Sequence, residues 1–213
     1  MRGTSFCFVA ASHFDGTPVR ESCASETPEN FGESFVGLTT APCLGVVDTA
    51  AQDGLIGSKA LERLKEQLSN CGLQVKWTGK QAKAHGVGGQ AKVLGIIAIP
   101  LGIAGSSGIL EATVVEGEIP LLLPIKMLRQ LRAVIDLEQS CLKFSGMEKS
   151  VPLIALPSGH VAIEIFQFGE SGFRCPVEAE HAGYSCDDFR NTFGPKNTSA
   201  TLSAQRTPCS VLW

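Results

Sequence analysis

Apolar residues with the periodicity of strands and helices are concentrated in the middle of the chain, at residues 36–168. Residues 43–47 form a short apolar run that predicts a buried strand, and residues 59–70 carry alanine and leucine at helical spacing. The same order recurs later, where an apolar run at 119–123 leads into a helical pattern at 125–131. A strand that runs directly into an amphipathic helix therefore occurs twice, which indicates two related halves.

The rest of the apolar sequence favours β-strands. Ser58 and Gly72 are predicted to cap the start and the end of the first helix. A mostly-β chain with two such halves predicts a small closed, barrel-like β structure with two short helices, and it does not favour an alternating βα sheet. The further strand patterns are at 74–77, 91–101, 109–115, 133–137 and 141–144.

Composition divides the chain into four parts. Residues 1–35 are polar and predict a flexible N-terminal arm, whereas residues 36–145 hold the predicted β domain. Two strand patterns joined by a Pro-Ser-Gly turn predict an appended β-hairpin within residues 146–168. After that, Gly, Asn, Ser and Thr become frequent without any period, so residues 169–213 are predicted to be a disordered tail.

Charge, hydropathy and cysteine spacing narrow the classes of partner. The chain of 213 residues has 18 basic and 21 acidic residues and no basic run interleaved with aromatics, so we expect no nucleic-acid partner. No apolar stretch reaches the length of about 18 residues that a spanning helix needs, so no membrane partner is expected.

The eight cysteines form no CxxC pair, which is typical of intracellular thiols and predicts a cytoplasmic location. Cys175, His181 and Cys186 depart from standard zinc-ligand spacing, so we predict no metal site.

Asp48 is the most informative single residue. It directly follows the apolar run 43–47 and precedes the small residues 49–51, so a carboxylate lies among small and apolar neighbours. A carboxylate in such surroundings loses hydration and must be hydrogen-bonded, protonated or functional. Local sequence alone leaves two interpretations open: an Asp that caps the turn after a strand, and an Asp that performs chemistry.

A glycine-rich segment is the second candidate feature. Its order is Gly86, Val87, Gly88 and Gly89. The residues after it alternate as a strand, whereas a dinucleotide-binding loop needs a helix there, and no Gly-Lys-Ser/Thr follows as in a phosphate-binding P-loop. The segment is therefore predicted to be a hairpin tip, which is either a simple turn or a mobile flap over a site.

Together these features resemble the retropepsin family of aspartic proteases, which comprises the retroviral and retrotransposon proteases and their cellular relatives. Residues 46–52 (VVDTAAQ) resemble the family signature of two apolar residues followed by Asp-Thr/Ser-Gly-Ala. Residues 85–89 (HGVGG) resemble its flap tip. Residues 119–128 resemble the strand and helix start of its second half, and residues 133–144 resemble its closing strands. The resemblance covers about residues 36–145 and implies the acid-protease fold.

The resemblance implies an aspartic endopeptidase that needs no cofactor. In such enzymes two carboxyls share a proton, so that one activates a water and the other protonates the scissile carbonyl oxygen. Asp48 would supply one carboxyl. Asp136 lacks the residues that follow a catalytic Asp, so a homodimer would supply the second carboxyl from another copy of the chain. Thr49 would hold the two loops together across the twofold axis.

By the same resemblance, a peptide or polyprotein substrate would lie between the Asp48 loop and the flap. The substrate-binding residues would be Ala50, Ala51, Gln52, Gly86, Val87, Gly88 and Gly89. Ala50 replaces the usual glycine after Asp-Thr, and Pro124 replaces the usual glycine of the second half. These replacements keep two other interpretations open: a catalytically inactive module that dimerises or binds peptides, and a remnant of a retroelement polyprotein.

Overall fold

The structure, a computed structural model, describes residues 6–8, 40–81, 85–86, 89–90 and 92–191. The strands are β1 (Phe6–Phe8), β2 (Leu44–Asp48), β3 (Gly54–Gly57), β4 (Lys76–Trp77), β5 (His85–Gly86), β6 (Gly89–Gln90), β7 (Val93–Ile103), β8 (Ser106–Val115), β9 (Leu122–Pro124), β10 (Ala133–Asp136), β11 (Cys141–Phe144), β12 (Lys149–Pro152), β13 (Ile154–Ala155) and β14 (Val161–Glu164). The helices are α1 (Ser58–Asn70), α2 (Ile125–Gln130), α3 (Val177–His181) and α4 (Cys186–Phe189). In the parts of the chain that are described, none of these helices is long and apolar enough to cross a membrane.

Nine strands form the main sheet, in the order β13-β14-β2-β9-β3-β8-β7-β4, with β1 also paired to β8. The predicted mostly-β class with few helices is confirmed. Within the described residues no pairing joins the two end strands β13 and β4, so the sheet is open and the expected closed barrel is not found. Closure requires edge strands that can pair along their length, and these two strands have only two residues each.

Helix α1 covers the sheet with the apolar face that its spacing predicts. Its buried residues are Ala60, Leu61, Leu64 and Leu68. Gly72 follows the helix with φ of +68°, a conformation that favours glycine, as expected at a helix end. The predicted start is wrong by one residue, because Gly57 is the N-cap and Ser58 opens the helix. The Ser58 hydroxyl oxygen instead accepts a hydrogen bond from the backbone N–H of Gly117 at 3.2 Å.

The segment predicted to be an appended hairpin belongs to the sheets. β13 and β14 do pair, but β14 also pairs with β2 in antiparallel register, with Ala162 opposite Val46. β12 joins β10 and β11 in a separate three-stranded sheet. Ala162 and Ile163 are fully buried. β14 is therefore part of the core beside β2, which strand periodicity alone does not reveal because partner choice is non-local.

Residues 173–191 pack onto the sheet and form what we call the C-terminal cap. Ala179, Tyr184 and Phe189 of the cap are buried against Ala98 and Ile109 of the two longest strands. The prediction of a disordered tail therefore does not hold here, since α3 and α4 are too short to show a helical period. The remainder of that predicted tail, residues 192–213, and the predicted arm at 1–35 apart from β1 lie outside the described residues.

Candidate functional site

Asp48 ends β2 where the strand leaves the core. β2 is an inner strand, parallel to β9 on one side and antiparallel to β14 on the other. Val46 and Val47 are buried, Asp48 is half-buried, and Thr49 is exposed. The side chain of Asp48 thus stands at the boundary between a packed strand and an exposed loop.

The carboxylate of Asp48 organises the turn that follows it. Its Oδ1 accepts hydrogen bonds from the backbone N–H of Ala50 at 2.9 Å and of Ala51 at 3.2 Å. Such turns are common for Asp because the side chain can accept from N–H groups two and three residues ahead. Among the described residues, no Lys, Arg or His forms an ion pair with Asp48. Oδ1 alone therefore caps the turn after the strand, and Oδ2 receives no hydrogen bond from a described residue.

The loop after Asp48 is fastened to the start of α2. The carbonyl oxygen of Ala51 accepts a hydrogen bond from the backbone N–H of Ile125 at 2.9 Å. Lys126 Nζ lies 2.8 Å from Asp53 Oδ1. In β9, Pro124 stands opposite Asp48 in the parallel register. The two strand-to-helix units that the sequence predicts therefore meet at this loop.

The contact between Asp53 and Lys126 was not predicted from the sequence. The two residues are 73 positions apart, and neither belongs to an apolar run that would mark it. The pairing of β9 with both β2 and β3 brings them together. The contact between Asp53 and Lys126 could be predicted from the sequence only if the pairing of these strands were already known.

The other predicted site residues divide into two groups. Thr49, Ala50 and Gln52 are exposed on the Asp48 loop, and Ala51 is half-buried beside them. Gly86 and Gly89 pair with each other in the two-stranded sheet of β5 and β6. Val87 and Gly88 between these strands lie outside the described residues.

The two replacements of family glycines fit the local backbone. Ala50 is not one of the described non-glycine residues with positive φ, so its methyl group causes no backbone strain. Pro124 ends β9 and serves as the N-cap of α2 with φ of −77°, close to the value that the proline ring imposes. Both substitutions are compatible with the loop geometry that surrounds Asp48.

Asp136 has the structural role that its sequence position suggests. It ends β10, and its Oδ1 accepts a hydrogen bond from the backbone N–H of Gln139 at 2.9 Å. Its Oδ2 lies 2.7 Å from Lys143 Nζ. The hydrogen bond from Lys143, followed by that from Gln139, holds the pKa of Asp136 below its usual value. Asp136 is therefore stabilised as an ion-paired carboxylate.

A second carboxylate, Glu111, was missed by the sequence reasoning. It lies in β8 with 2% of its surface exposed. Lys80 Nζ contacts both of its carboxylate oxygens, at 2.7 and 3.0 Å, and the Tyr184 hydroxyl donates a third hydrogen bond. We call these three residues the Glu111 cluster. A signal was present, because Glu111 interrupts the apolar run 109–115 much as Asp48 interrupts the run before it.

The fold and site define a mostly-β protein with a carboxylate-bearing loop that connects β2 to β3, the strands on either side of β9. No family model matches the chain. The chain is 32% identical over 136 residues to the UBA domain-containing protein Mud1 of Schizosaccharomyces pombe, a match that covers 60% of this chain and 39% of Mud1. The chain thus spans about two fifths of the curated relative that it matches.

Among solved structures, the chain is similar to the retroviral protease-like domain of Ddi1 from Leishmania major. The TM-score is 0.35 and the sequence identity is 19%. The match covers 51% of this chain and 84% of that domain.

Proposed function

We propose that the chain is an aspartic endopeptidase of the retropepsin type. The observation that carries this proposal is the state of Asp48, which ends a buried strand, has one oxygen fixed by two backbone N–H groups, and pairs with no cation among the described residues. A carboxyl held at the exposed end of a buried strand is placed for general acid–base chemistry on a bound substrate. The motif around it, VVDTAAQ, resembles the family signature.

The proposed chemistry needs a second carboxyl facing the first. Two such groups share one proton because like charges in close contact resist joint ionisation. The ionised carboxyl accepts a proton from water, whose oxygen attacks the scissile carbonyl carbon. The protonated carboxyl donates its proton to the carbonyl oxygen, which gives a gem-diol intermediate. The carboxyl that took the proton from water then gives it to the amide nitrogen, the other carboxylate takes a hydroxyl proton back, and the C–N bond breaks to release the two peptides.

The second carboxyl is proposed to be Asp48 of another copy of the chain. Asp136 is ion-paired with Lys143, and Asp53 on the same loop as Asp48 is ion-paired with Lys126. A twofold axis between two Asp48 loops would place identical groups face to face. Thr49, exposed beside Asp48, would contact its counterpart across that axis.

The substrate is proposed to be a peptide or polyprotein segment. Ala50, Ala51 and Gln52 would contact it from the loop, and the glycine-rich segment 86–89 would close over it. The pairing of β5 with β6 supports a hairpin at this position. No cofactor is required by this chemistry.

The deciding experiment is a cleavage assay of the full chain on a mixed peptide library, with and without an aspartic-protease inhibitor. We expect inhibitor-sensitive cleavage whose specific activity falls when the protein is diluted. The pH profile should be bell-shaped, with apparent pKa values that belong to the pair of carboxyls. Activity that is independent of concentration, from a protein that sediments as a monomer, would overturn the shared site.

A second candidate function, a non-catalytic module that dimerises or binds peptides, is favoured by Ala50. Its methyl group is exposed on the loop, where the family has glycine. Replacing it by Ala50→Gly separates the two functions. In an active enzyme the rate should change only modestly, whereas a protein silenced by the methyl group should gain activity. If both forms are inert and the dimer still binds peptides, the binding module is the correct assignment.

The glycine-rich segment provides an independent test of the enzyme. Gly88→Val restricts the backbone at the proposed flap tip, so it should impair closure over substrate and lower the rate of cleavage. The same substitution should leave dimerisation unchanged in sedimentation. An unchanged rate in the variant would remove the segment from the proposed site.

A further inference from the structure

Two cysteines of the C-terminal cap are close in space although eleven positions separate them. The backbone N–H of Cys175 donates a hydrogen bond to Sγ of Cys186, with an N to S distance of 3.0 Å. Both side chains are half-buried, and both residues are thiols in this structure. Cys175 also packs against the cluster of Ala179, Tyr184 and Phe189 that fixes the cap to the sheet.

This distance is short enough for a covalent link. The Cα of Cys175 is bonded to the nitrogen that contacts Sγ of Cys186, so standard bond lengths keep the two Cα atoms within about 7 Å. Disulfides typically join Cα atoms about 4.4–6.8 Å apart. The spacing of the two Cα atoms is therefore compatible with a disulfide, whose formation also requires the two Cβ atoms to lie about 3.5–4.5 Å apart.

We propose that Cys175 and Cys186 form a reversible disulfide that locks the C-terminal cap. The oxidant is a small-molecule disulfide such as oxidised glutathione. One cysteine thiolate attacks it, forms a mixed disulfide and releases one small thiol. The second cysteine then attacks the mixed disulfide, so that the protein disulfide forms and a second small thiol leaves. The two protons of the cysteine thiols end on the two released thiols.

The position of the link explains what it controls. Cys175 directly precedes Pro176, the N-cap of α3, and Cys186 is the first residue of α4. A bond between them joins the starts of the two cap helices and closes a loop that contains Tyr184. Closing such a loop removes conformations from the opened cap and so favours the docked one.

The docked cap in turn holds the chain that leads into β4. The carbonyl oxygen of Phe189 accepts a hydrogen bond from the backbone N–H of Gln74 at 2.9 Å, and Lys76 Nζ lies 2.8 Å from Asp188 Oδ2. β4 precedes the paired strands β5 and β6, and β7 follows them. The disulfide therefore acts on one of the two strands that flank the glycine-rich segment.

The chain provides a direct assay for this disulfide. Trypsin cleaves after Arg174 and Arg190, and the peptide between these sites, residues 175–190, contains no other Lys or Arg and no other cysteine. An internal disulfide therefore appears in a single peptide that lacks two hydrogen masses and resists alkylation. We would equilibrate the full chain with mixtures of reduced and oxidised glutathione, block the remaining thiols by alkylation, and analyse this peptide by mass spectrometry.

We expect the internal disulfide in the wild-type chain and in the control variant Cys71→Ser, which removes an exposed thiol elsewhere. In Cys175→Ser and Cys186→Ser the remaining cysteine should carry glutathione instead. Oxidation of the wild type should slow chymotryptic cleavage after Tyr184 by about tenfold or more, because the cap opens less often. The proposal is overturned if the oxidised wild-type peptide carries two glutathiones, remains alkylated at both cysteines, or is linked to another cysteine of the chain.

Discussion

Asp48 and Glu111 are two carboxylates that differ in burial, in hydrogen-bond partners and in ion pairing. Asp48 is half-buried, accepts two backbone hydrogen bonds on one oxygen, and forms no ion pair with a described residue. Glu111 is 2% exposed and accepts hydrogen bonds from Lys80 on both oxygens and from Tyr184 on one. Both interrupt apolar strand sequence, so their local sequence contexts are similar.

The difference shows that burial of an acid does not by itself mark a reactive group. Glu111 is bonded to Lys80 and to Tyr184, so it links the sheet to the cap as a structural element. Asp48 has an oxygen that no described residue engages, and it is held by backbone groups that do not depend on another side chain. Bonding to a cation therefore separates the structural carboxylate from the one we propose to be catalytic.

The largest expected effect is on catalysis and comes from Asp48→Asn. The change keeps the shape of the side chain and an oxygen that can accept the two backbone hydrogen bonds, but it removes the titratable group. We expect peptide cleavage to fall about a thousandfold, while the free energy of unfolding changes by less than about 1 kcal/mol. Asp136→Asn is the matched control and should retain most activity. If Asp136→Asn abolished cleavage and Asp48→Asn did not, the assignment of Asp48 as the catalytic carboxylate would be wrong.

Glu111→Ala should have the opposite profile. It removes a buried acid and leaves the buried Tyr184 hydroxyl without its carboxylate partner, so we expect a loss of about 2 kcal/mol in the free energy of unfolding, measured with urea. Glu116→Ala is the control, because its ion pair with Lys92 has side chains that are 60% and 70% exposed. That control should change stability by less than about 0.5 kcal/mol. Equal effects from both variants would show that the cluster is not a structural element.

The comparison of these carboxylates also shows which features of the fold and site can be predicted from the sequence. The strand before Asp48 and the helix after it were predictable, since an apolar run ends at an acid and α1 has a clear helical period with Gly72 behind it. The turn bonds of Asp48 are also local, because they reach only Ala50 and Ala51. These features depend on neighbours in the chain, which a single sequence displays.

The features that were missed depend on distant partners. Lys80 is 31 positions from Glu111 and Tyr184 is 73 positions away, so no local pattern connects them. The cap helices have five and four residues, and they are ordered by packing against the sheet rather than by periodicity. The place of β14 beside β2 is a choice of partner that strand patterns do not encode.

A smaller effect is expected from Tyr184→Phe, which tests whether the cap depends on the carboxylate. The ring keeps its contact with Phe189, whose centroid is 5.8 Å away, while the hydrogen bond to Glu111 is lost. We expect a loss of about 1.5 kcal/mol in the free energy of unfolding. In a Glu111→Ala background the same substitution should have little effect, because its partner is already gone. Additive losses in this double-mutant cycle would show that the hydroxyl acts independently of Glu111.

The smallest expected effect comes from Asp188, a third carboxylate, which lies in the C-terminal cap and pairs with Lys76. It tests whether a cationic partner gives a carboxylate a structural role at a more exposed position as well. Hydrogen bonding to Lys76 is the main cause that holds the pKa of Asp188 below its usual value. A carboxylate with a lowered folded-state pKa stabilises the fold above its unfolded pKa of about 4, and this contribution is lost as the pH falls through the folded value. The side chains of Lys76 and Asp188 are 34% and 25% exposed, so solvent screening limits the contribution to about 0.5 kcal/mol.

Asp188→Asn should thus be less stable than wild type by about this amount at pH 6, and the two should converge below about pH 4. Asp187→Asn is the control, because Asp187 has a side chain that is 86% exposed and should show no such convergence. A difference between wild type and Asp188→Asn that grows as the pH falls would show that the carboxylate destabilises the cap, against the role assigned to its pairing with Lys76.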